Sequence, residues 1–205
     1  MTYQVVSVIP QDKKKVKICL DNGEAFILYK GEAAKLSLFE KEVVDESKYR
    51  QIMTDILGKR AIKRAMHLLE RQERTEKQLR DKLAQNEYPK QCIEQALAYV
   101  KSYHYVDDYR YATVYIHYHQ EKESRQKLTQ KLMMRGIPKE LIQQALEEEF
   151  VADEDAQIKE LLRKRHFDPK SADEKERRKT AQFLMRKGFK SRDVFRMMCM
   201  EEEFC

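Results

Sequence analysis

The amino-acid sequence predicts a mainly α-helical protein, in which three groups of three helices follow a small N-terminal β unit. Helix-breaking residues are rare, since the 205 residues include only 5 glycines and 4 prolines, which favours long helices over a many-stranded fold. Hydrophobic residues make up 41% and charged residues 37% of the chain, a balance that suits helices buried on one face. The stretch 79–97 also recurs as 128–146, and self-similarity at a fixed period indicates a repeat architecture.

The repeated stretch has the spacing of two helices joined by a short break. Leu79 and Leu83 share one helix face, the break ends at Pro89, and Ile93 and Leu97 share one face of the next helix. Every apolar anchor recurs 49 positions later, as Leu79 and Leu128, Leu83 and Leu132, Tyr88 and Ile137, Pro89 and Pro138, Ile93 and Ile142, and Leu97 and Leu146. Each copy therefore predicts two consecutive helices of one group.

Residues 1–57 are predicted to contain the β unit. Residues 5–9 are rich in β-branched side chains, and residues 16–20 alternate apolar with polar side chains. A hairpin turn signal at Asn22–Gly23 precedes the returning strand at 26–29, because Asn-Gly accepts positive φ at little cost. The pattern predicts three short strands.

Residues that typically begin or end helices divide the chain into four predicted domains. Asp45 is expected to begin a helix, and Gly58 to end or kink it, so the first boundary is placed there. Thr75 and Gln78 form a capping-box signature at the start of a later helix. The predicted domains are the N-terminal unit at 1–57 and three-helix repeats at 58–105, 106–152 and 153–205.

The first helix of each repeat is expected to bury one apolar stripe. The 49-residue period maps the stripe of the first repeat onto a tyrosine-rich stripe of the second: Ile62, Ala65, Met66 and Leu69 correspond to Tyr111, Val114, Tyr115 and Tyr118. The tyrosines of this second stripe are therefore assigned to the core and not to base stacking. Tyr109 lies off this stripe and is left as a candidate for an exposed role.

The third repeat is more divergent than the other two. Leu184, Gly188 and Phe189 match Leu132, Gly136 and Ile137 with an offset of 52, and the last helix is expected to bury Val194, Phe195 and Met198. Fading similarity near the C-terminus is typical of a capping repeat, which has no next repeat to cover it.

Charge and cysteine usage narrow the class of protein. Residues 1–57 contain nine basic and nine acidic residues, so the repeats carry the whole net charge of +6, which favours a polyanionic partner. The four cysteines are scattered without metal-ligand spacing, which predicts reduced thiols in a cytoplasmic protein: Cys19, Cys92, Cys199 and Cys205. No signal peptide or membrane span is predicted.

The sequence shows no catalytic or cofactor motif. A P-loop, a dinucleotide-binding fingerprint, a nucleophile elbow and a zinc-protease motif are all absent, so neither an enzyme nor a cofactor is predicted. His117 and His119 are two positions apart on a predicted helix, so they point in different directions and are not expected to share a metal ion.

A row of basic residues is the candidate binding surface. Lys127, Lys131 and Arg135 are spaced four apart and border the packed face of one helix, and further basic residues follow in the third repeat. A solvated mixed-charge surface is the alternative, because acidic residues lie nearby. The predicted contact residues are Arg125, Lys127, Lys131, Arg135, Arg163, Arg165, Arg186 and Lys187.

Together these motifs resemble the RecX family, bacterial regulators of the RecA recombinase. The resemblance covers about residues 61–198 and departs from the family at Tyr105–Val106, where Gly followed by Leu is usual. It is carried by the order and spacing of Ala65, Leu68, Leu69, Thr75, Leu79, Leu83, Ile93, Leu97, Val106, Asp107, Asp108, Tyr111, Ala112, Gly136, Ile137, Pro138, Ala145, Leu146, Phe183, Leu184, Arg186, Lys187, Gly188 and Phe189.

The resemblance implies an elongated, curved body that binds RecA filaments on DNA. It implies inhibition of RecA ATP hydrolysis and strand exchange, and hence regulation of recombination, DNA repair and the SOS response, by a monomer without catalysis of its own. Two alternatives remain open at this stage. One is a helical-repeat protein that binds single- or double-stranded DNA directly, and the other is a scaffold for an unrelated acidic protein.

Overall fold

The computed structural model describes residues 2–199, and its N-terminal part contains a four-stranded antiparallel sheet. The strands β1 (Tyr3–Pro10), β2 (Lys15–Leu20), β3 (Ala25–Tyr29) and β4 (Val43–Val44) lie in the order β3-β2-β1-β4. Gly23 has a φ of +84° in the turn between β2 and β3, as its sequence signal predicts. The strand β4 was not predicted, because two residues are too few to show a periodicity. Met1 and 200–205, including Cys205 and the end of the predicted third repeat, lie outside the described residues.

Five α-helices lie between residues 2 and 107, the described part of the N-terminal unit. They are α1 (Lys30–Lys35), α2 (Glu46–Arg50), α3 (Lys59–Arg71), α4 (Glu76–Gln85) and α5 (Lys90–Ser102). A π-helical segment, Gln51–Gly58, joins α2 to α3 without a break. Gly58 therefore does not end the helix. A Cβ there would lie 2.9 Å from the Met53 carbonyl oxygen and closer still to the Gln95 side chain, so the glycine allows this segment to pack closely against α5.

The β sheet and the first repeat share one hydrophobic core. Ile18 and Leu28 on the sheet belong to the same buried cluster as Leu57, Leu83 and Leu97 on the helices, and all five side chains are almost fully buried. Residues 1–107 accordingly form one compact unit. Because each element buries only one face, the sheet and the helices depend on each other for burial.

A second compact unit begins at Asp108 and contains six helices among the described residues. Two hydrophobic clusters lie in this unit, one under each group of three helices. The prediction of helical trios after an antiparallel strand unit is thus confirmed. The helices are α6 (Asp108–His119), α7 (Arg125–Met134), α8 (Lys139–Glu149), α9 (Glu154–Lys164), α10 (Glu174–Arg186) and α11 (Ser191–Cys199).

The predicted stripe of α6 is partly wrong: Tyr111 and Tyr115 are partly buried against the core, as predicted, but the fully buried positions are different ones. Ala112 and Ile116 are fully buried, whereas Val114 is 40% and Tyr118 is 75% exposed. Buried Ala65 therefore corresponds to Ile116, an offset of 51, although the following helices keep the offset of 49. The chain between the buried stripe and the next helix is two residues shorter in the second repeat. A constant offset of 49 therefore assigns the wrong residues to the buried face of α6.

The predicted inward face of α11 is also partly wrong. Val194 and Met198 are buried as expected, but Phe195 is 53% exposed, and Met197 takes the inward position. Residues 194, 197 and 198 lie three and four positions apart and share one helix face, whereas residue 195 points away from it.

A turn of the same type follows the second helix of each repeat. Glu87, Gly136 and Gly188 occupy equivalent positions with φ values of +58°, +88° and +94°. The next residue of each turn, Tyr88, Ile137 or Phe189, donates its backbone N–H to the carbonyl of the last buried leucine of the helix. This is the Schellman arrangement, in which a left-handed residue and a following apolar residue end a helix.

Thr75 caps α4, as its sequence signature predicts. The fully buried Thr75 hydroxyl accepts a hydrogen bond from the Gln78 N–H, and the Gln78 side chain accepts one from the Thr75 N–H, both 3.2 Å long. We expect Thr75→Ala to lower the free energy of unfolding by about 1–2 kcal/mol, because a backbone donor of the helix loses its partner. Urea denaturation measures this loss, and Thr75→Ser, which keeps the hydroxyl, should recover most of it. An unchanged midpoint for the alanine variant would contradict the cap.

The cysteines and histidines of residues 2–199 form no metal site. Cys19, Cys92 and Cys199 are free thiols, and no group of three potential metal ligands occurs in this range. Burial raises the pKa of Cys92 to about 12, and its thiol donates to the Met53 carbonyl, so this side chain is a packed core group. None of the described helices combines the length and apolar character needed to cross a membrane.

Candidate partner interface

The predicted contact residues lie on α7 and around α9 and α10, all within the second compact unit. The side chain of Ser124 begins α7 by accepting a hydrogen bond from the Lys127 N–H, which places the basic row along the helix. Leu128 and Leu132 point into the core and are fully buried. The basic residues of the row therefore border the packed face, as their spacing predicts.

Arg125 is occupied by contacts inside the unit. Its guanidinium donates to the Leu146 carbonyl at 2.7 Å, near the C-terminal end of α8, and lies 5.4 Å from the centre of the Phe150 ring. The backbone N–H of Arg125 donates to the Glu154 carboxylate at 2.9 Å. A cation is favourable at a helix C-terminus and a carboxylate at a helix N-terminus, so this residue holds three helices together.

Lys131 and Arg135 contact acidic and aromatic side chains within the second repeat. Lys131 forms a hydrogen-bonded ion pair with Glu123, and this contact raises the pKa of the lysine. The Arg135 guanidinium lies 4.5 Å from the centre of the Tyr115 ring, and its Nε is 3.3 Å from the Tyr111 hydroxyl. Both cations are thus held against α6 or the loop that follows it.

The rings under Arg135 form a short stack along α6. Tyr111 and Tyr115 are parallel at 6.3 Å, and Tyr115 and His119 at 4.0 Å. These three residues are four positions apart and half-buried, so they form a side wall of the helix and not its core-facing stripe. Tyr109 forms a hydrogen bond with Glu148, which ties the N-terminal part of α6 to α8.

Three of the eight predicted residues lie close together, and a fourth, Arg186, directly precedes one of them in the chain. The Ser124 hydroxyl donates to the Lys187 carbonyl at 3.1 Å, so the turn after α10 lies against the start of α7 and beside Lys127. Arg165 and Lys187 lie 4.6 Å and 5.8 Å from the centre of the Phe183 ring. We call Lys127, Arg165, Arg186 and Lys187 the basic patch.

The basic patch contains cations that carboxylates do not neutralise. In the described part of the chain, Lys127 and Arg186 form neither an ion pair nor a side-chain hydrogen bond, and Arg165 and Lys187 lie beside the Phe183 ring without an ion pair to a carboxylate. Arg163 differs, because both of its guanidinium hydrogen bonds go to Glu160, whose pKa falls to about 2 beside Arg163 and Lys164. Arg163 therefore lies outside the set of available positive charges.

A second group of basic residues, on α3, is not among the predicted contact residues. Arg60, Lys63, Arg64 and His67 line one side of a cleft in the first compact unit. Their spacing of three and four residues indicates a shared helix face, but the adjacent apolar stripe of α3 is explained by packing alone and gave no reason to predict a binding surface. The tyrosines at 99, 103 and 105 are exposed, and they form a stack with ring centres 4.9 Å and 5.9 Å apart.

Comparison with protein families matches each helical trio to a different domain of one family. Residues 61–99 match the first three-helix domain of RecX, residues 107–146 the second, and residues 153–198 the third. The three matches follow the order of the helices in the structure. They leave the N-terminal sheet outside the matched segments.

Curated relatives and solved structures agree with these matches. The chain is 27% identical over 193 residues to the regulatory protein RecX of Caldanaerobacter subterraneus subsp. tengcongensis, covering 93% of this chain and 95% of the relative. It is 27% identical over 192 residues to that of Clostridium tetani, covering 92% and 89%.

Two solved structures share the fold. One is a crystal structure of regulatory protein RecX, with a TM-score of 0.63, 23% identity and coverage of 95% of this chain and 98% of the other. The second is RecX from Lactobacillus salivarius, with a TM-score of 0.57, 19% identity and coverage of 69% and 94%.

Proposed function

Because this chain belongs to the RecX family of regulatory proteins, we propose that it binds filaments of the RecA recombinase on DNA and inhibits their ATP hydrolysis and strand exchange. It acts in the cytoplasm, by binding and not by catalysis, and thereby regulates recombination, DNA repair and the SOS response. The observation that supports this most is the match of all three helical trios to RecX domains in their order along the chain. A filament repeats the same surface many times, so a protein with repeated units can contact several subunits of it.

Within this proposal, the basic patch is the first candidate for the contact. Its four cations come from α7, from the C-terminal ends of α9 and α10 and from the turn after α10, and a partner with negative charge gains from all of them at once. Lys127 and Arg186 carry the available charge without a partner in the described residues. Arg125 and Arg135 hold helices together instead, so their replacement would change the stability of the fold as well as the affinity for the partner.

The first measurement is RecA ATP hydrolysis on single-stranded DNA, titrated with the full-length protein. We expect inhibition, and we expect Lys127→Glu/Arg186→Glu to require about ten times more protein, since exposed cations contribute about 1 kcal/mol each or less and reversal adds repulsion. The matched control is Lys139→Glu/Lys159→Glu, which makes the same change in net charge at two exposed positions of the same unit. This control should inhibit like the unchanged protein.

The possible results separate the function from the contact surface. Unchanged RecA turnover at an excess of the protein would refute the regulatory proposal. Equal inhibition by both double variants would be consistent with the regulatory proposal but would exclude the basic patch as the contact surface. A shift to higher concentrations for the first variant alone would support both.

A further inference from the structure

The cleft beside α3 has the size of a small-ligand site and lies where the sheet meets the first repeat. Its volume is about 600 Å³, within the range of pockets that hold small molecules. Helix α3 contributes Arg60, Lys63 and Arg64, while Tyr29 comes from the end of β3 and Tyr88 from the turn after α4. The cleft therefore combines a row of cations with two aromatic rings.

Among the described residues, most cations of the cleft have no ion-pair partner. Glu87 is the only carboxylate among the described lining residues, and it pairs with Lys17 at 2.7 Å. Arg60 is held by Glu32. The side chains of Lys15, Lys63 and Arg64 form no ion pair within the described residues, and the Arg64 Nε donates to the neutral Asn86 side chain at 2.9 Å. Asp12 is close enough to Lys15 that, after the Lys14 backbone N–H, the lysine also lowers the pKa of this carboxyl. Three positive charges facing one cleft create a potential that favours an anion.

The rings give this anion site a flat apolar wall. The Arg60 guanidinium lies 4.8 Å and the Lys15 ammonium 5.9 Å from the centre of the Tyr29 ring. Tyr88 also lines the cleft, is half-buried and packs against the first core. Cations beside aromatic rings are the combination that proteins use for single-stranded nucleic acid, where phosphates meet cations and bases stack on rings.

We propose that this cleft binds a nucleotide unit of single-stranded nucleic acid, with the phosphate at Lys15, Lys63 and Arg64 and the base against Tyr88. A base must leave its stack to reach a ring inside a cleft, which favours a single strand over a duplex. The cleft belongs to residues 1–107 and needs no recombinase, so the proposal goes beyond the regulation of RecA. It also gives the N-terminal sheet a role, because β2 and β3 supply Lys15 and Tyr29.

The direct test is fluorescence anisotropy of a labelled thymidine oligomer of about 15 nucleotides, long enough for a site of this kind, with the full chain and no recombinase. We expect binding, and we expect Lys15→Glu/Lys63→Glu to weaken it at least about tenfold. The slope of log affinity against log salt should fall by about 1.4, since each phosphate contact on a single strand contributes about 0.7. Both lysines are exposed and form no ion pair in the described residues, so their reversal leaves the fold intact, which circular dichroism checks.

A matched control and three competitors distinguish the outcomes. Lys77→Glu/Lys90→Glu changes the net charge equally at exposed positions of the same unit, and equal weakening by this control would overturn the proposal in favour of delocalised charge. An abasic strand of the same length should bind several-fold more weakly if a base contacts the ring. Displacement of the oligomer by thymidine monophosphate or inorganic phosphate at similar concentrations would indicate a free-phosphate site instead of a strand. Equal displacement by polyglutamate would indicate an acidic protein segment, and either result would overturn the proposal.

Discussion

Replacing Ile116 with alanine should lower the free energy of unfolding of the second compact unit by about 2–5 kcal/mol, the usual cost of removing a buried isoleucine side chain beyond Cβ. Ile116 is fully buried in α6 and belongs to the cluster that includes Leu128, Leu132 and Ile142. The lost methyl groups leave a cavity, and interiors packed to this density relax only partly. Urea denaturation followed by circular dichroism measures the effect.

Tyr118→Ala is the control that makes this result specific. Tyr118 is 75% exposed, so its removal should change the free energy of unfolding by less than about 0.5 kcal/mol. The 49-residue period assigns the core position to residue 118, whereas the structure assigns it to residue 116. A large loss for Tyr118→Ala together with a small loss for Ile116→Ala would show that the periodic assignment is correct and that α6 is rotated in solution.

Gly188→Ala should destabilise the same unit by about 2–4 kcal/mol, because two costs add at this position. The first is conformational, since the φ of +94° is one that side chains with a Cβ rarely adopt. The second is steric, because the new Cβ would lie 2.4 Å from the Ser124 hydroxyl oxygen and 3.1 Å from the Lys127 backbone nitrogen. The turn after α10 would have to move away from the start of α7.

Gly23→Ala separates the two costs. Gly23 has a similar φ of +84°, but a Cβ there would meet no atom within 4 Å. Its replacement should therefore cost only the conformational part, about 1–2 kcal/mol. If Gly188→Ala cost no more than Gly23→Ala, the close approach between the turn and α7 would be absent in solution. A larger cost should also shift the salt dependence of partner binding, because the movement would separate Lys127 from Lys187.

Local signals mark several helix boundaries. The Thr75–Gln78 box begins α4, and the turn residues Gly136 and Gly188 end the helices before them. Glu87 shows the limit of such signals, because it adopts the same left-handed conformation although it is not a glycine, and the sequence therefore does not indicate the turn. In that case a neighbouring apolar contact, Tyr88 against the first core, stabilises the turn.

The availability of the basic residues could not be predicted from their spacing. Lys131 and Arg163 are neutralised by carboxylates eight and three residues away, whereas Arg165 meets a ring eighteen residues further along the chain. The partners of Lys131 and Arg165 depend on how two segments pack, whereas the Arg163 pair lies within α9 at a spacing of three residues. Spacing shows which helix face a cation occupies, but not what lies opposite it.

The sequence by itself determined the helical trios, their caps and the family to which the chain belongs, because these depend on residues close together in the chain and on their order. Tertiary structure alone decided which stripe of α6 is buried, which cations keep their charge available, and that β2, β3, α3 and the turn after α4 enclose a common cleft. The physical reason is that burial and neutralisation are properties of pairs of surfaces. A shift of two residues in one connection changes the partner surface without changing the local pattern.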